Sequence, residues 1–146
     1  MSEHQATVEW NRKGAEFKYE TYSRSHEIRF EGVSFKGNAA PGNIPATVKP
    51  EAGVDPEQAF VASLSSCHML WFLHIACRAG YVVDSYLDEA VGVLDKTWMS
   101  RVTLRPRVTF SGKAPSAEEH RALHHKAHEK CFIANSVRTE VVVEPC

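Results

Sequence analysis

Two cysteines stand in chemically loaded surroundings. Cys67 lies in Asp55-Pro56-Glu57-Gln58-Ala59-Phe60-Val61-Ala62-Ser63-Leu64-Ser65-Ser66-Cys67-His68-Met69, inside an apolar helical stretch. Cys131 closes a His-rich one, His124-His125-Lys126-Ala127-His128-Glu129-Lys130-Cys131-Phe132. An acid, Glu57, ten residues before the first thiol and a second thiol in a distant helix point to thiol redox chemistry. Such chemistry needs a thiolate, and a free cysteine near pKa 8.5 is mostly protonated at neutral pH. Burial raises that value further, so a cation or a helix N-terminus must oppose it. A helix broken near Ser65-Ser66 would give Cys67 free amides. An unbroken one requires an arginine from elsewhere, whose forked donors can hold a sulfur and a second acceptor at once.

Glu57 raises a geometric question. Ten residues of straight helix rise roughly 15 Å, so either the segment breaks before Cys67 or the acid comes from another subunit. An acid in a first helical turn also complements the helix dipole without any further role, and a buried cysteine often serves only as a small hydrophobe.

The elements that must position these groups follow from pattern. Ala6–Trp10, Ala15–Tyr22 and His26–Glu31 alternate as strands. Gly32–Gly53, with four glycines and three prolines, reads as a long surface loop. Asp55, Pro56 and Gln58 form a helix start, and Gly80 ends that helix after Ala79. Its apolar residues occupy nearly every face, the signature of a central core helix. Ser63, Ser65, Ser66, His68 and His74 interrupt it too often for a membrane span. Ser85–Thr97 and Arg101–Ser111 read as two strands around a turn near Trp98-Met99-Ser100. Ser116 and Glu119 open a second helix running to about Cys131, and Val137–Val143 is a last strand. The order βββ–α–ββ–α–β gives an α+β domain with a largely antiparallel sheet, 1–146 as one domain.

Composition removes several classes. Seventeen basic and 18 acidic residues leave a net charge of −1, with no case for nucleic acid or an anionic membrane. Four scattered cysteines without a CxxC are neither a disulfide scaffold nor a zinc ribbon. The N-terminus lacks a signal-peptide pattern, so the expectation is a cytoplasmic protein.

The order Arg29-Phe30-Glu31-Gly32, Asp55-Pro56-Glu57, Cys67, Cys131, with the segments SLSSCHMLWF and HEKCFIANSV, resembles the OsmC/Ohr family of peroxide-stress proteins, and its OsmC-like subgroup in particular. The resemblance covers most of the chain. It implies an intertwined homodimer with two long central helices and active sites at the subunit interface. It further implies Cys67 as the peroxidatic cysteine, Cys131 as the resolving one, Glu57 as the acid, and Arg29 or Arg24 as the arginine that positions the thiolate. The implied activity is reduction of organic, and also inorganic, hydroperoxides by an external dithiol, a lipoyl protein in relatives, with no metal, flavin or haem. Many relatives carry proline after the second cysteine, where this chain has Phe132.

Rival readings use the same residues. His124, His128, Cys131 and His68 offer nitrogen and sulfur donors for zinc, although HxxxH also occurs on solvated helix faces and His124, His125 and His128 are expected at a surface or interface. His68 and Cys67, adjacent in a helix, point about 100° apart. A third reading is a non-catalytic dimer holding a small apolar ligand beneath the Gly32–Gly53 loop. Cys77 and Cys146 are expected to be bystanders.

Overall fold

The computed structural model describes residues 1–146, which divide into two compact units, Met1–Ala59 and Phe60–Cys146.

In the first unit, β1 (Thr7–Glu9) pairs antiparallel with β2 (His26–Phe30), which turns into β3 (Val33–Gly37). The turn is the pair Glu31-Gly32, and Gly32 takes the left-handed φ of 77° that such tight hairpins require. A strand thus occupies the start of the segment expected to be loop. The expected strand Ala15–Tyr22 is not one. Lys13 and Gly14 both adopt positive φ and Tyr22 N–H bonds back to the Lys18 carbonyl, so the chain coils. Its aromatic alternation serves a different contact: Phe17 and Tyr22 pack on each other and on Trp10 with ring centroids 5.0–6.0 Å apart. After β3 the chain makes a 3₁₀ turn at Pro41–Asn43 and returns beside Gly37 at Val54. Gly53 sits against this return, where a Cβ would stand 2.8 Å from the Gly37 carbonyl carbon. The first turn of the next helix has a capping box: Gln58 N–H donates to Asp55 Oδ1 (2.7 Å) and Asp55 N–H to Gln58 Oε1 (3.1 Å).

That helix, α1 (Pro56–Arg78), is continuous through 23 residues. It stops as expected at Gly80, where Tyr81 N–H reaches the Ala76 carbonyl and Gly80 N–H the Cys77 carbonyl, a Schellman end with φ 86° at the glycine. By length and hydropathy it is the one helix apolar enough to cross a membrane, a property core helices share. Four residues spaced by four, Leu64, His68, Phe72 and Ala76, are its buried row. Its other faces are only partly covered, and Leu70 is 60% exposed, so within one chain α1 is less enclosed than an all-round apolar pattern suggests.

The second unit has five strands: β4 (Val82–Asp88), β5 (Val91–Asp95), β6 (Trp98–Leu104), β7 (Pro106–Ser111) and β8 (Glu140–Val143). The two expected strands between 85 and 111 are four, because each is broken, at Glu89-Ala90 and at Arg105; the reversal between them falls at Lys96-Thr97, with Lys96 at φ 56°, and Trp98-Met99-Ser100 already belong to β6. β4 pairs with β7 and β5 with β6, both antiparallel, while β6 and β8 run parallel. The fold is α+β with largely antiparallel sheets, as the sequence indicates. α2 (Ala117–Lys130) starts on the expected capping box, Ser116 Oγ accepting from Glu119 N–H and Glu119 Oε2 from Ser116 N–H. Two apolar clusters hold the unit together. Phe72, Ala76, Leu123 and Ala127 pack with Tyr81, Tyr86 and Phe110, and Leu64, Val102 and Leu104 pack with Val61, Ile133 and Val141.

Candidate functional site

The two helices of the second unit bring the two sequence-distant thiols together. Cys67 sits mid-helix on α1, half-buried. Cys131 is the C-cap residue of α2 and is 1% exposed. Cys67 is a near neighbour of the Cys131 thiol, close enough to raise its pKa, and all four cysteines are free. Burial pushes the Cys131 thiol up to about 11; Cys67 adds to the rise, while the amides of Ala134 and Ile133 oppose it. The Ala134 N–H stands 3.4 Å from the sulfur, because the chain after α2 winds into a 3₁₀ turn at Ala134–Ser136. No cation acts on Cys131. Since α1 does not break near Ser65-Ser66, Cys67 gains no free amides either.

Cys67 opens on an apolar cleft of about 560 Å³, lined also by Ser63, Ser66, Leu70, Trp71, His74, Phe132 and Ile133. Phe132, 68% exposed, stands edge-on to Trp71 with ring centroids 5.4 Å apart. Phe132, directly after Cys131, thus forms a wall of the cleft.

The remaining expected site residues lie in the first unit. Glu57 is half-buried in the first turn of α1. Arg29 on β2 donates to Glu9 Oε2 at 2.6 Å and pairs with Glu27 at 3.4 Å. Arg24 donates to the Tyr22 carbonyl and lies over the Tyr22 ring at 3.6 Å. Because α1 is unbroken, ten residues of helix, a rise of roughly 15 Å, separate Glu57 from Cys67 along it.

The histidines do not form the expected surface cluster. His125 is exposed, but His68 and His124 are 1% and 2% exposed. His68 Nε2 lies 2.9 Å from His124 Nδ1, with the two rings parallel, and His124 Nε2 lies 3.2 Å from His120 Nε2. Burial and its histidine neighbours push His124 down to about 3. His68 falls to about 4 through burial and His128, with Asp88 opposing. Both rings are therefore neutral at pH 7. No three His, Cys, Asp or Glu side chains converge as a metal site requires. His120 and the inward turn of His124 escape sequence reasoning. The available signal was the spacing of four from His120 through His124 to His128, in register with buried Leu123 and Ala127. In the first unit, a second cleft of about 550 Å³ lies under the loop after β3, lined by Pro41, Ile44, Pro45, Val48, Asp55 and Gln58 among others.

A family model described as OsmC-like protein matches residues 49–145. The chain belongs to the OsmC family. The matched stretch of this OsmC-family chain contains Glu57, Cys67 and Cys131, and leaves Arg24 and Arg29 outside. It is similar over its whole length to an OsmC-like protein of unknown function from Vibrio cholerae, at 49% identity, with 100% of each chain covered and a TM-score of 0.94. An OsmC-like protein from Mycoplasma pneumoniae shares the fold at 12% identity and TM-score 0.77, covering 99% of this chain and 96% of that one. An organic hydroperoxide resistance protein of Bacillus subtilis does so at 20% identity and TM-score 0.69, covering 99% and 98%. Comparison with curated protein sequences gives no match.

Proposed function

We propose that this OsmC-family chain is a thiol-dependent hydroperoxide reductase acting in oxidative-stress defence. The observation that carries the reading is a pair of neighbouring thiols from separate helices, one of which, Cys67, lines an apolar cleft. Their unequal environments support a division of roles. Cys67 is half-buried and lines the cleft, so it is the group a substrate meets. Cys131 is buried and held as a thiol by its high pKa, so it waits for an oxidised partner. The Cys67 thiolate attacks the O–O bond, the alkoxide leaves and takes a proton as alcohol, and Cys67 becomes a sulfenic acid. Cys131 then displaces the hydroxyl from the Cys67 sulfur to form the disulfide and water. An external dithiol, of the lipoyl type in the family, restores both thiols by exchange. The protein named for organic hydroperoxide resistance that shares this fold supports the substrate class, as does the apolar lining of Leu70, Trp71, Phe132 and Ile133.

The thiolate still needs a cation, and no Lys or Arg lines the cleft at Cys67 or acts on Cys131. We assign it to a homodimer in which Glu57 and either Arg29 or Arg24 come from the second copy. The partly uncovered faces of α1, including Leu70, supply apolar surface for that association. In this reading residues 1–146 act as one cytoplasmic functional unit without a cofactor.

The test is consumption of tert-butyl hydroperoxide with a dithiol, comparing the parent, Cys67→Ser and Cys131→Ser. Turnover is expected to vanish in Cys67→Ser, and Cys131→Ser is expected to accumulate a Cys67 sulfenic acid trapped by dimedone. A parent protein that turns over neither organic hydroperoxides nor hydrogen peroxide would overturn the assignment.

A further inference from the structure

The first unit holds a cleft that the thiol chemistry does not use. It lies under the loop that follows β3, has a volume of about 550 Å³, and takes its whole lining from residues 38–58. That size falls in the ordinary range of small-molecule sites, which are mostly apolar with a few placed polar groups.

The loop is built to hold this shape. Pro41, Pro45 and Pro50 stand with Ile44 and Val48 in the wall, and each proline locks its own φ. The chain's return beside β3 is tied twice, Asn38 N–H donating to the Val54 carbonyl at 3.0 Å and Val54 N–H to the Lys36 carbonyl at 2.9 Å. Gly53 lies too close to Gly37 and Asn38 to carry a side chain. Asn38, 5% exposed, spends its amide inside the loop: Nδ2 donates to the Glu51 carbonyl and Oδ1 accepts from Ala39 N–H, both at 2.8 Å. A cleft set in advance loses little freedom when a ligand arrives.

Its charge is one-sided. The ionisable residues of the lining are Glu51 and Asp55, and no Lys, Arg or His joins them. Glu51 is exposed and its Oε1 already accepts from Ser23 Oγ at 2.7 Å. Asp55 is only 7% exposed, and its Oδ1 accepts the Gln58 N–H at the start of α1. Asp55 Oδ2 receives no hydrogen bond or ion pair from the chain, yet it is not one of the sealed, unpartnered polar atoms, which are His68 Nδ1, Tyr86 Oη and His128 Nδ1. It therefore keeps an opening, and Asp55 lines the cleft. A nearly buried carboxylate with an idle oxygen is costly unless a donor meets it.

The lining decides which cation fits. A metal ion needs several oxygen ligands, and no three His, Cys, Asp or Glu side chains converge. A quaternary ammonium is held on aromatic faces, and no aromatic residue lines this cleft. A primary ammonium needs one strong acceptor for its N–H and apolar room for its body. We propose that the cleft binds a small primary amine, an apolar molecule with one ammonium group. The ammonium donates to Asp55 Oδ2 and the hydrocarbon body lies against Pro41, Ile44, Pro45 and Val48. This site goes beyond the hydroperoxide reading, and neither Cys67 nor Cys131 takes part in it.

The test is an amide NMR titration of the full chain at pH 7 and constant ionic strength, with cyclohexylamine as the probe and cyclohexanol as its neutral counterpart. Cyclohexylamine is expected to bind saturably and to shift the amides of Ala39, Val48, Gly53 and Gln58. Cyclohexanol is expected to bind roughly tenfold more weakly or worse, the loss that follows when a hydrogen bond between charged groups becomes a neutral one. Asp55→Asn removes the charge and keeps the cap, because asparagine caps a helix as well as aspartate does. It is expected to weaken cyclohexylamine about tenfold and to leave cyclohexanol unchanged. No saturable shift with the amine, or equal affinity for amine and alcohol, would overturn the proposal without any variant. So would an unchanged amine affinity in folded Asp55→Asn, or shifts centred on Leu70 and Trp71 of the thiol cleft. Failure of hydroperoxide turnover would sink the peroxidase reading and leave this titration standing.

Discussion

Acidification from pH 7.5 to 5 is expected to remove about 4 kcal/mol of folding stability through His68 and His124 alone. Both rings are held neutral in the fold, at about 4 and about 3, whereas unfolded histidine titrates near 6.5. The unfolded chain therefore binds more protons across this window. The contribution is fully present above pH 6.5 and is lost as pH falls toward the folded values. Near pH 5 each unfolded ring is about 30 times more protonated than neutral while its folded counterpart is mostly neutral, which is RT ln 30, about 2 kcal/mol per ring. This magnitude depends on the ordinary histidine value rather than on the depth of the folded shift, provided the folded value stays well below 5. Glu119, lowered by its capping bond to Ser116, works in the same direction but only as pH falls below the usual glutamate range, outside this window.

The assay is urea unfolding at fixed protein concentration, followed by far-UV circular dichroism at pH 7.5, 6.5, 5.5 and 5. His68→Gln and His124→Gln are each expected to be less stable than the parent at pH 7.5, yet to lose about 2 kcal/mol less than the parent on acidification. Equal losses in the parent and both variants would refute the reasoning, because the acid sensitivity would then arise elsewhere. So would a parent that loses less than about 1 kcal/mol, since the rings would then accept protons within the fold.

Three further perturbations have defined outcomes. Gly92→Ala would place a methyl carbon 2.5 Å from both Val61 Cγ2 and Met99 Cε; Met99 can swing aside but Val61 cannot, so a loss of about 1–3 kcal/mol in urea unfolding is expected. Ser116→Ala removes the acceptor for the Glu119 amide at the start of α2 and is expected to cost about 1 kcal/mol, read as a lower urea midpoint with unchanged slope. Phe132→Ala strips a wall from the thiol cleft; kcat/KM for cumene hydroperoxide is expected to fall roughly tenfold, in line with 1–2 kcal/mol of apolar contact, with hydrogen peroxide almost unaffected. Equal loss for both peroxides would mean that the cleft does not select the organic group.

Elements that carry their own punctuation were legible from sequence. Asp55-Pro56 with Gln58, Gly80, and Ser116 with Glu119 each mark a helix end by a local hydrogen bond, and each bond is present. Strands failed where pairing rather than local pattern decides. Ala15–Tyr22 alternates as well as any strand here, yet its aromatics gain more from Trp10 and from the Arg24 guanidinium, 5.0 Å above Tyr19, than from a ladder. Val33–Gly37 looks like loop because of its glycines, but Gly32 is the residue that lets it fold back on β2.

The site was legible to a different depth. Cys67 and Cys131 stand out because their contexts resemble a family, and the resemblance predicts a meeting that a 64-residue separation hides from any periodicity argument. No such guide exists for the histidines. A histidine on a helix next to Lys126 and Glu129 looks solvated, since the sequence displays its neighbours along the helix and not across it. His124 is buried because α1 presents His68 at the matching height, 56 residues earlier in the chain, one turn before Phe72 stacks on the same ring. Each imidazole alone would leave a further polar nitrogen unsatisfied in an apolar cluster; together they satisfy His68 Nε2 and His124 Nδ1. Removing either ring therefore strands the other, which is why the thiol contact and the imidazole contact should be perturbed separately: Cys131→Ser leaves the His68–His124 bond in place, and His124→Gln leaves both thiols.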